Sequence, residues 1–152
     1  MSQCYTDNTM TDDDKLLLES QVCFPLYSAA NAVTRAYRPL LDELDLTYSQ
    51  YLVMMVLWEK DGASVKELGS QLHLDSGTLT PLLKRLEAKG YVERGRSETD
   101  ERVRVLNLTE QGRKLKEQAK SVPNAMMCKI TLELDEMIML KKLCGKVLEN
   151  LS

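Results

Sequence analysis

From Lys15 onward the apolar positions recur at steps of three and four. Leu16, Cys23, Tyr27, Ala30, Val33 and Tyr37 share one stripe, which predicts a helix over residues 15–37. Pro25 lies inside this stretch and, lacking an N–H, is expected to bend the helix near Gln21 and Val22. Arg38-Pro39 is expected to end it, because the residue before a proline avoids the helical region. Pro39 to Leu44 reads as a short separate helix. Thr47, with Gln50 three residues on, is a capping-box pair opening a helix from Tyr48 to Lys60. That helix is apolar nearly all round (YLVMMVLW) and should therefore be buried. Asp61-Gly62 reads as a turn, and Ser64 with Glu67 caps a short helix over VKELGSQL.

Leu74-Asp75-Ser76-Gly77 breaks the pattern again. A helix from Ser76 to Lys89 follows, closed by Gly90 at the C-terminal glycine position. Two β-rich runs, Tyr91 to Arg94 and Val103 to Leu108, flank a charged loop and predict a hairpin with a long, arginine-bearing tip. Thr109 and Gly112 open another helix, interrupted at Pro123, and a last amphipathic helix spans Leu134 to Leu151. Residues 1–13 carry few apolar positions and are expected to be a disordered tail.

Composition narrows the function classes. A chain of 152 residues that is 43% hydrophobic suits one folded domain. With one Phe and one Trp, its core must come from Leu, Val, Met and Ala, which suits helices. The net charge of −3 excludes a uniformly basic, histone-like protein. Charge is segregated, however: residues 60–120 hold 13 Lys/Arg against 10 Asp/Glu, and the remainder 7 against 13. No run approaches the roughly 18 apolar residues of a membrane span. The polar, acidic N-terminus is no secretory signal, so a cytoplasmic protein without a membrane partner is expected. Cys4, Cys23, Cys128 and Cys144 are far apart with no CxxC, and His73 is the single histidine, most simply structural. No metal and no cofactor are therefore expected.

Two short helices joined by a tight turn and followed by a hairpin give the order of a winged helix-turn-helix, a mainly α fold with a small β-hairpin wing. Its second helix suits a DNA major groove. Ser76, Thr78 and Thr80 on the first turns can hydrogen-bond bases or phosphates, and Lys84 and Arg85 can reach phosphate. The hairpin carries Arg94, Arg96, Arg102 and Arg104, and arginine at such a tip can enter a narrow minor groove. A charge run alone is usually only a solvated face. The combination with a helix-turn-helix points to double-stranded operator DNA.

The segment LDSGTLTPLLKRLEAKGYVERGRSETDERVRVLNLTEQG resembles the core of the MarR family of bacterial transcription regulators. Asp100-Glu101-Arg102 matches that family's wing motif. The resemblance implies that Arg102 enters the minor groove and that Asp100 holds it or its wing neighbours by a salt bridge. It also implies an obligate homodimer through N- and C-terminal helices, which fits the apolar stripes on residues 15–37 and 134–151. The chain then divides into a tail (1–13), a helical dimerisation region (14–46 and 110–152) and a DNA-binding winged helix (47–109).

A second segment, VCFPLYSAANAVTRAYRPLLDELDLTYSQYLVMMVLWE, is similar to the branch of that family that senses organic hydroperoxides, and the similarity covers about residues 16–125. By this resemblance Cys23 is the sensing thiol, Tyr37 and Tyr48 hydrogen-bond it, and Tyr27 lines the pocket. Two-cysteine members carry a second cysteine near Cys128, which resolves the first as an intersubunit disulfide. Cys144 (KLCGK) competes for that role, and Cys4 is assigned none.

Physical chemistry constrains this site. Peroxide attack needs thiolate, and an unperturbed cysteine of pKa about 8.5 is mostly protonated at neutral pH. Cys23 has no adjacent Lys or Arg and, on the predicted helix, is not at an N-terminus. Two tyrosine hydroxyls could donate to the sulfur instead. Cys23 and Tyr37 are 14 residues apart, about 21 Å along one straight helix, so any meeting requires the tyrosine of a second copy. Periodicity alone reads Cys23 as a small, inert, buried residue, and Cys128 as another beside two methionines.

The expected function is a redox-sensing repressor, not an enzyme, that binds DNA when reduced and leaves it when organic hydroperoxide oxidises Cys23. Three rivals stand beside it. One is a MarR repressor released by a non-covalent phenolic ligand. Another is a thiol-based regulator answering several oxidants. The third is a thiol peroxidase, which would leave the basic wing unexplained.

Overall fold

The computed structural model describes residues 9–152. Contacts divide the chain into two units, residues 1–36 and 37–152. The N-terminal unit holds α1 (Asp12–Lys15), a single 3-10 turn (Leu18–Ser20) and the first part of α2 (Cys23–Asp42). The second holds the end of α2, then α3 (Tyr48–Glu59), β1 (Ala63–Ser64), α4 (Val65–Leu72), α5 (Ser76–Ala88), β2 (Val92–Arg96), β3 (Arg104–Leu108), α6 (Glu110–Ala119), α7 (Val122–Ile130) and α8 (Leu134–Leu151).

The predicted helix over 15–37 is divided differently. The expected tail becomes ordered by Thr11, whose hydroxyl accepts from the Asp14 N–H while Asp14 reaches back to the Thr11 N–H, a complete capping box. The rest of the expected tail, residues 1–8, lies outside the described residues. Gln21 is extended, with φ −87° and ψ 122°, and α2 begins only at Cys23. Pro25 explains the start. Extended backwards, the helix would drive its ring into the Gln21 carbonyl, whereas as third residue its missing N–H is one that a helix start leaves unpaired anyway. Pro25 therefore sets the helix start instead of bending it. Cys23, expected mid-helix, is the first helical residue.

Pro39 does not end the helix either. α2 runs on to Asp42, absorbing the expected short helix. The preference of the preceding residue is overridden by packing, since Leu41 and Leu44 are buried in the core.

Local signals elsewhere hold. Thr47 and Gln50 form the capping box of α3, and Ser64 and Glu67 that of α4. Tyr51, Val53, Met54 and Leu57 of α3 are buried. With Leu68 of α4 and Leu79, Leu83 and Leu86 of α5, they form the centre of the core. Gly69 lets the two helices of the helix-turn-helix close up: a Cβ there would lie 2.8 Å from the Leu74 carbonyl oxygen. His73 takes the left-handed conformation (φ 54°) that turns the chain into α5, in keeping with a structural histidine. Asp75 caps α5 through the Thr78 N–H at 2.7 Å.

The hairpin forms as predicted, with a small addition. β2 and β3 pair antiparallel with Arg94 opposite Leu106, and β1 adds to the other edge of β3, giving the order β1-β3-β2. Helix-turn-helix followed by this sheet is a winged helix.

Candidate nucleic-acid interface and thiol site

Ser76, Thr78, Thr80, Lys84 and Arg85 are all exposed on α5, opposite the buried Leu79, Leu82, Leu83 and Leu86. The face left to solvent by the core is thus the one carrying hydroxyls and cations. Thr80 is partly engaged, since its hydroxyl donates to the Ser76 carbonyl at 2.8 Å.

Between β2 and β3 the loop is organised by its own side chains. The Ser97 N–H donates to the Val103 carbonyl at 2.9 Å, and the Thr99 N–H to the Ser97 hydroxyl at 3.3 Å. Asp100 accepts from the backbone N–H of Arg102 at 3.0 Å. That bond replaces the expected salt bridge: Asp100 fixes the turn from which Arg102 projects, and the guanidinium stays exposed. Arg96 and Arg104, opposite each other where the strands enter the loop, are exposed too. Arg94 differs, because its Nε lies 3.3 Å from the Glu87 carboxylate and ties the wing to α5.

In the second unit, Tyr37 and Tyr48 come together with ring centroids 4.7 Å apart. Tyr51, which sequence reasoning missed, completes the cluster at 5.8 Å from Tyr37 and 6.5 Å from Tyr48. Its signal was its place one turn beyond Tyr48 on α3. Burial pushes the Tyr37 hydroxyl pKa up, with the neighbouring Tyr48 and Tyr51 adding to the effect. Burial raises Tyr48 likewise. Both hydroxyls therefore stay protonated at neutral pH and can donate hydrogen bonds.

Cys23 and Tyr27 belong to the N-terminal unit, one helical turn apart and exposed. Cys23 is thus not the buried residue that periodicity alone suggests. As the first residue of α2 it sits where backbone N–H groups are unpaired and the helix dipole is positive, an end that favours negative charge. Cys128 on α7 is exposed, Cys144 on α8 is half-buried, and all three described cysteines are free thiols. Cys4 lies outside the described residues.

No residue of α8 is buried, and Leu134, Ile138, Leu143 and Leu148 are among its exposed apolar side chains. Between α7 and α8 an open apolar hollow of about 420 Å³ is lined by Met127, Ile130, Leu132, Met137 and Ile138 among others. Among the described residues no cluster of three His, Cys, Asp or Glu could hold a metal, and no helix is long and apolar enough to cross a membrane.

Comparison with known proteins places this architecture. Residues 35–119 match the family model of transcriptional regulators SarA/Rot. The regulator TtmR of Methylorubrum extorquens is 55% identical over 124 residues, which cover 82% of this chain and 64% of that longer protein. The organic hydroperoxide resistance transcriptional regulator of Bacillus subtilis is 50% identical over 114 residues, 75% of this chain and 78% of the relative. AbfR of Staphylococcus epidermidis is similar in structure. Its reduced, DNA-bound form superposes with a TM-score of 0.72 at 36% identity, covering 88% of this chain and 95% of that one. Its disulfide form gives 0.61 at 32%, covering 89% and 96%. The chain belongs to the winged-helix transcriptional regulators of the SarA/Rot and MarR type, in the branch of the organic hydroperoxide resistance regulators.

Proposed function

We propose that the protein is a dimeric repressor that holds operator DNA when reduced and releases it when an organic hydroperoxide oxidises Cys23. The reading rests on one conjunction: an exposed thiol opens a helix whose far end carries one of two stacked tyrosines with protonated hydroxyls. The 14-residue spacing from Cys23 to Tyr37 makes the tyrosine donors those of a second copy. A sensor whose thiol site is shared across the dimer couples sulfur chemistry to the spacing of the two recognition helices.

On DNA, α5 enters the major groove with Ser76, Thr78 and Thr80 toward the bases and Lys84 and Arg85 toward phosphate. Arg102 reaches the minor groove, flanked by Arg96 and Arg104. Two half-sites are spaced by about one DNA turn, roughly 34–36 Å. The unburied apolar side chains of α8 and the hollow beside it are covered by the second copy. Relatives support these assignments, since AbfR is known bound to DNA and as a disulfide.

The chemistry balances in two steps. The Cys23 thiolate attacks the O–O bond and takes one oxygen as sulfenic acid, while the other leaves as alkoxide and picks up a proton to become an alcohol. The thiol of Cys128 from the second copy then attacks the sulfenic sulfur. A disulfide forms and water leaves. Disulfide geometry requires Cα atoms within about 7 Å, so the helices must shift to bring the sulfurs together. Apolar neighbours Phe24, Leu26 and Tyr27 favour an organic over an inorganic peroxide.

Peptide mapping after one equivalent of cumene hydroperoxide tests the chemistry. A Cys23–Cys128 cross-link between two copies is expected. A Cys23–Cys144 link would move the resolving role, and an unmodified Cys23 would contradict the reading.

A further inference from the structure

At the C-terminal end of the recognition helix, Lys89 turns away from the exposed DNA-facing side and reaches the corner between α2 and α3. Its ammonium donates to the Asp45 carbonyl at 2.6 Å and to the side-chain oxygen of Gln50 at 3.0 Å, and lies 3.4 Å from the Asp45 carboxylate. Gln50 is the one buried polar side chain among the described residues, 2% exposed, and the same oxygen accepts the Thr47 N–H that caps α3. Asp45 holds a left-handed φ of 53°, which aims its carbonyl at the lysine. Two residues further along the chain, the Tyr91 hydroxyl donates to the Leu44 carbonyl at 3.0 Å.

The corner gripped in this way leads directly into the tyrosine cluster. Gln50 lies between Tyr48 and Tyr51 on the first turn of α3, and Tyr48 stacks on Tyr37 of α2. A shift of the tyrosines that moves the first turn of α3 therefore moves the acceptors of Lys89, and with them the end of α5. Packing alone does not need a charged group here, because a methionine would fill the same path.

Resting on the thiol-switch reading above, we infer that Lys89 is a positioning residue: it transmits the state of the Tyr37–Tyr48–Tyr51 cluster to the recognition helix and sets its angle for DNA. It touches neither the thiol nor the phosphates. Two readouts separate it from a merely structural residue and from a DNA contact, namely the salt dependence of binding and the ratio of affinities before and after oxidation.

The test uses a duplex selected from a random pool by the reduced wild-type protein, with binding followed by anisotropy. Lys89→Met is expected to lower reduced-state affinity about tenfold at every salt concentration. The slope of log K against log salt stays that of the wild type, whereas Lys84→Met flattens it by about one. The affinity ratio between reduced and peroxide-treated protein also shrinks, although Cys23 is still consumed in thiol titration. Lys89→Arg restores most of both. Should Lys89→Met fold poorly, Asp45→Asn keeps the left-handed turn and is expected to give a smaller loss of the same kind.

Wild-type affinity and ratio in Lys89→Met would overturn the inference, as would a flattened salt slope, which would make Lys89 a phosphate contact. If the wild-type protein itself keeps DNA after peroxide, the thiol switch fails, and the positioning role stands or falls on the reduced-state affinity and slope.

Discussion

The ring of Tyr37 packs on that of Tyr48 at 4.7 Å with a 36° tilt, so the end of α2 and the start of α3 meet through two phenols. Burial holds both hydroxyls in the neutral form and pushes their pKa values above the usual 10.0. A raised folded-state value means that this contribution to stability is complete below pH 10 and is lost as pH rises through the folded value. Tyrosinate absorbance should show a late-titrating group, accompanied by a falling melting temperature. Tyr48→Phe should bring Tyr37 partway back toward 10, since one of the charges that raise it is gone.

Gly112 opens α6 under the carbonyl of Tyr91, and a Cβ at that position would lie 2.1 Å from the oxygen. Its own carbonyl accepts the Trp58 indole N–H at 2.9 Å, which fastens α6 to α3. Gly112→Ala is expected to cost roughly 1–3 kcal/mol, because backbone must move. Thermal unfolding would read this as a clear drop in melting temperature.

The wing arginines should not be equivalent. Arg102 is exposed on a turn fixed by Asp100, whereas Arg94 is paired with Glu87. Arg102→Ala is expected to weaken operator binding about tenfold. Arg94→Ala should cost several times less, as an ion pair of this exposure contributes only about 0–1 kcal/mol. Titrations at one fixed salt concentration compare the two.

The exposed apolar face of α8 should be the dimer contact. Ile138→Asp with Leu148→Asp is expected to halve the mass seen in light scattering and to abolish high-affinity operator binding, while the circular dichroism of the winged helix persists. A double variant that stays dimeric would move the interface elsewhere.

What the sequence revealed was local. Thr47 with Gln50 and Ser64 with Glu67 state their capping boxes within four residues, and the helices they open are found where expected. Proline is less legible locally, because its effect depends on where a helix begins: Pro25 sets the start of α2, and Pro39 is carried through it by the packing of Leu41. β1 is two residues long and is a strand only by pairing Ala63 and Ser64 with Leu106 and Val105, 41 or more positions away. At the site, the exposed cations of α5 and the wing follow from the pattern, but the engagement of Arg94 by Glu87 and the joining of Tyr51 to the tyrosines are tertiary facts. The engagement of Lys89 by Asp45 and Gln50, 44 and 39 positions away, is likewise tertiary.

A reversible thiol switch on DNA is read by anisotropy of the reduced protein on its selected duplex before and after one equivalent of cumene hydroperoxide. Prompt release, reversed by dithiothreitol, is expected, with no release for Cys23→Ser. Release that persists in Cys23→Ser, or tight binding unmoved by peroxide in the wild type, would contradict it.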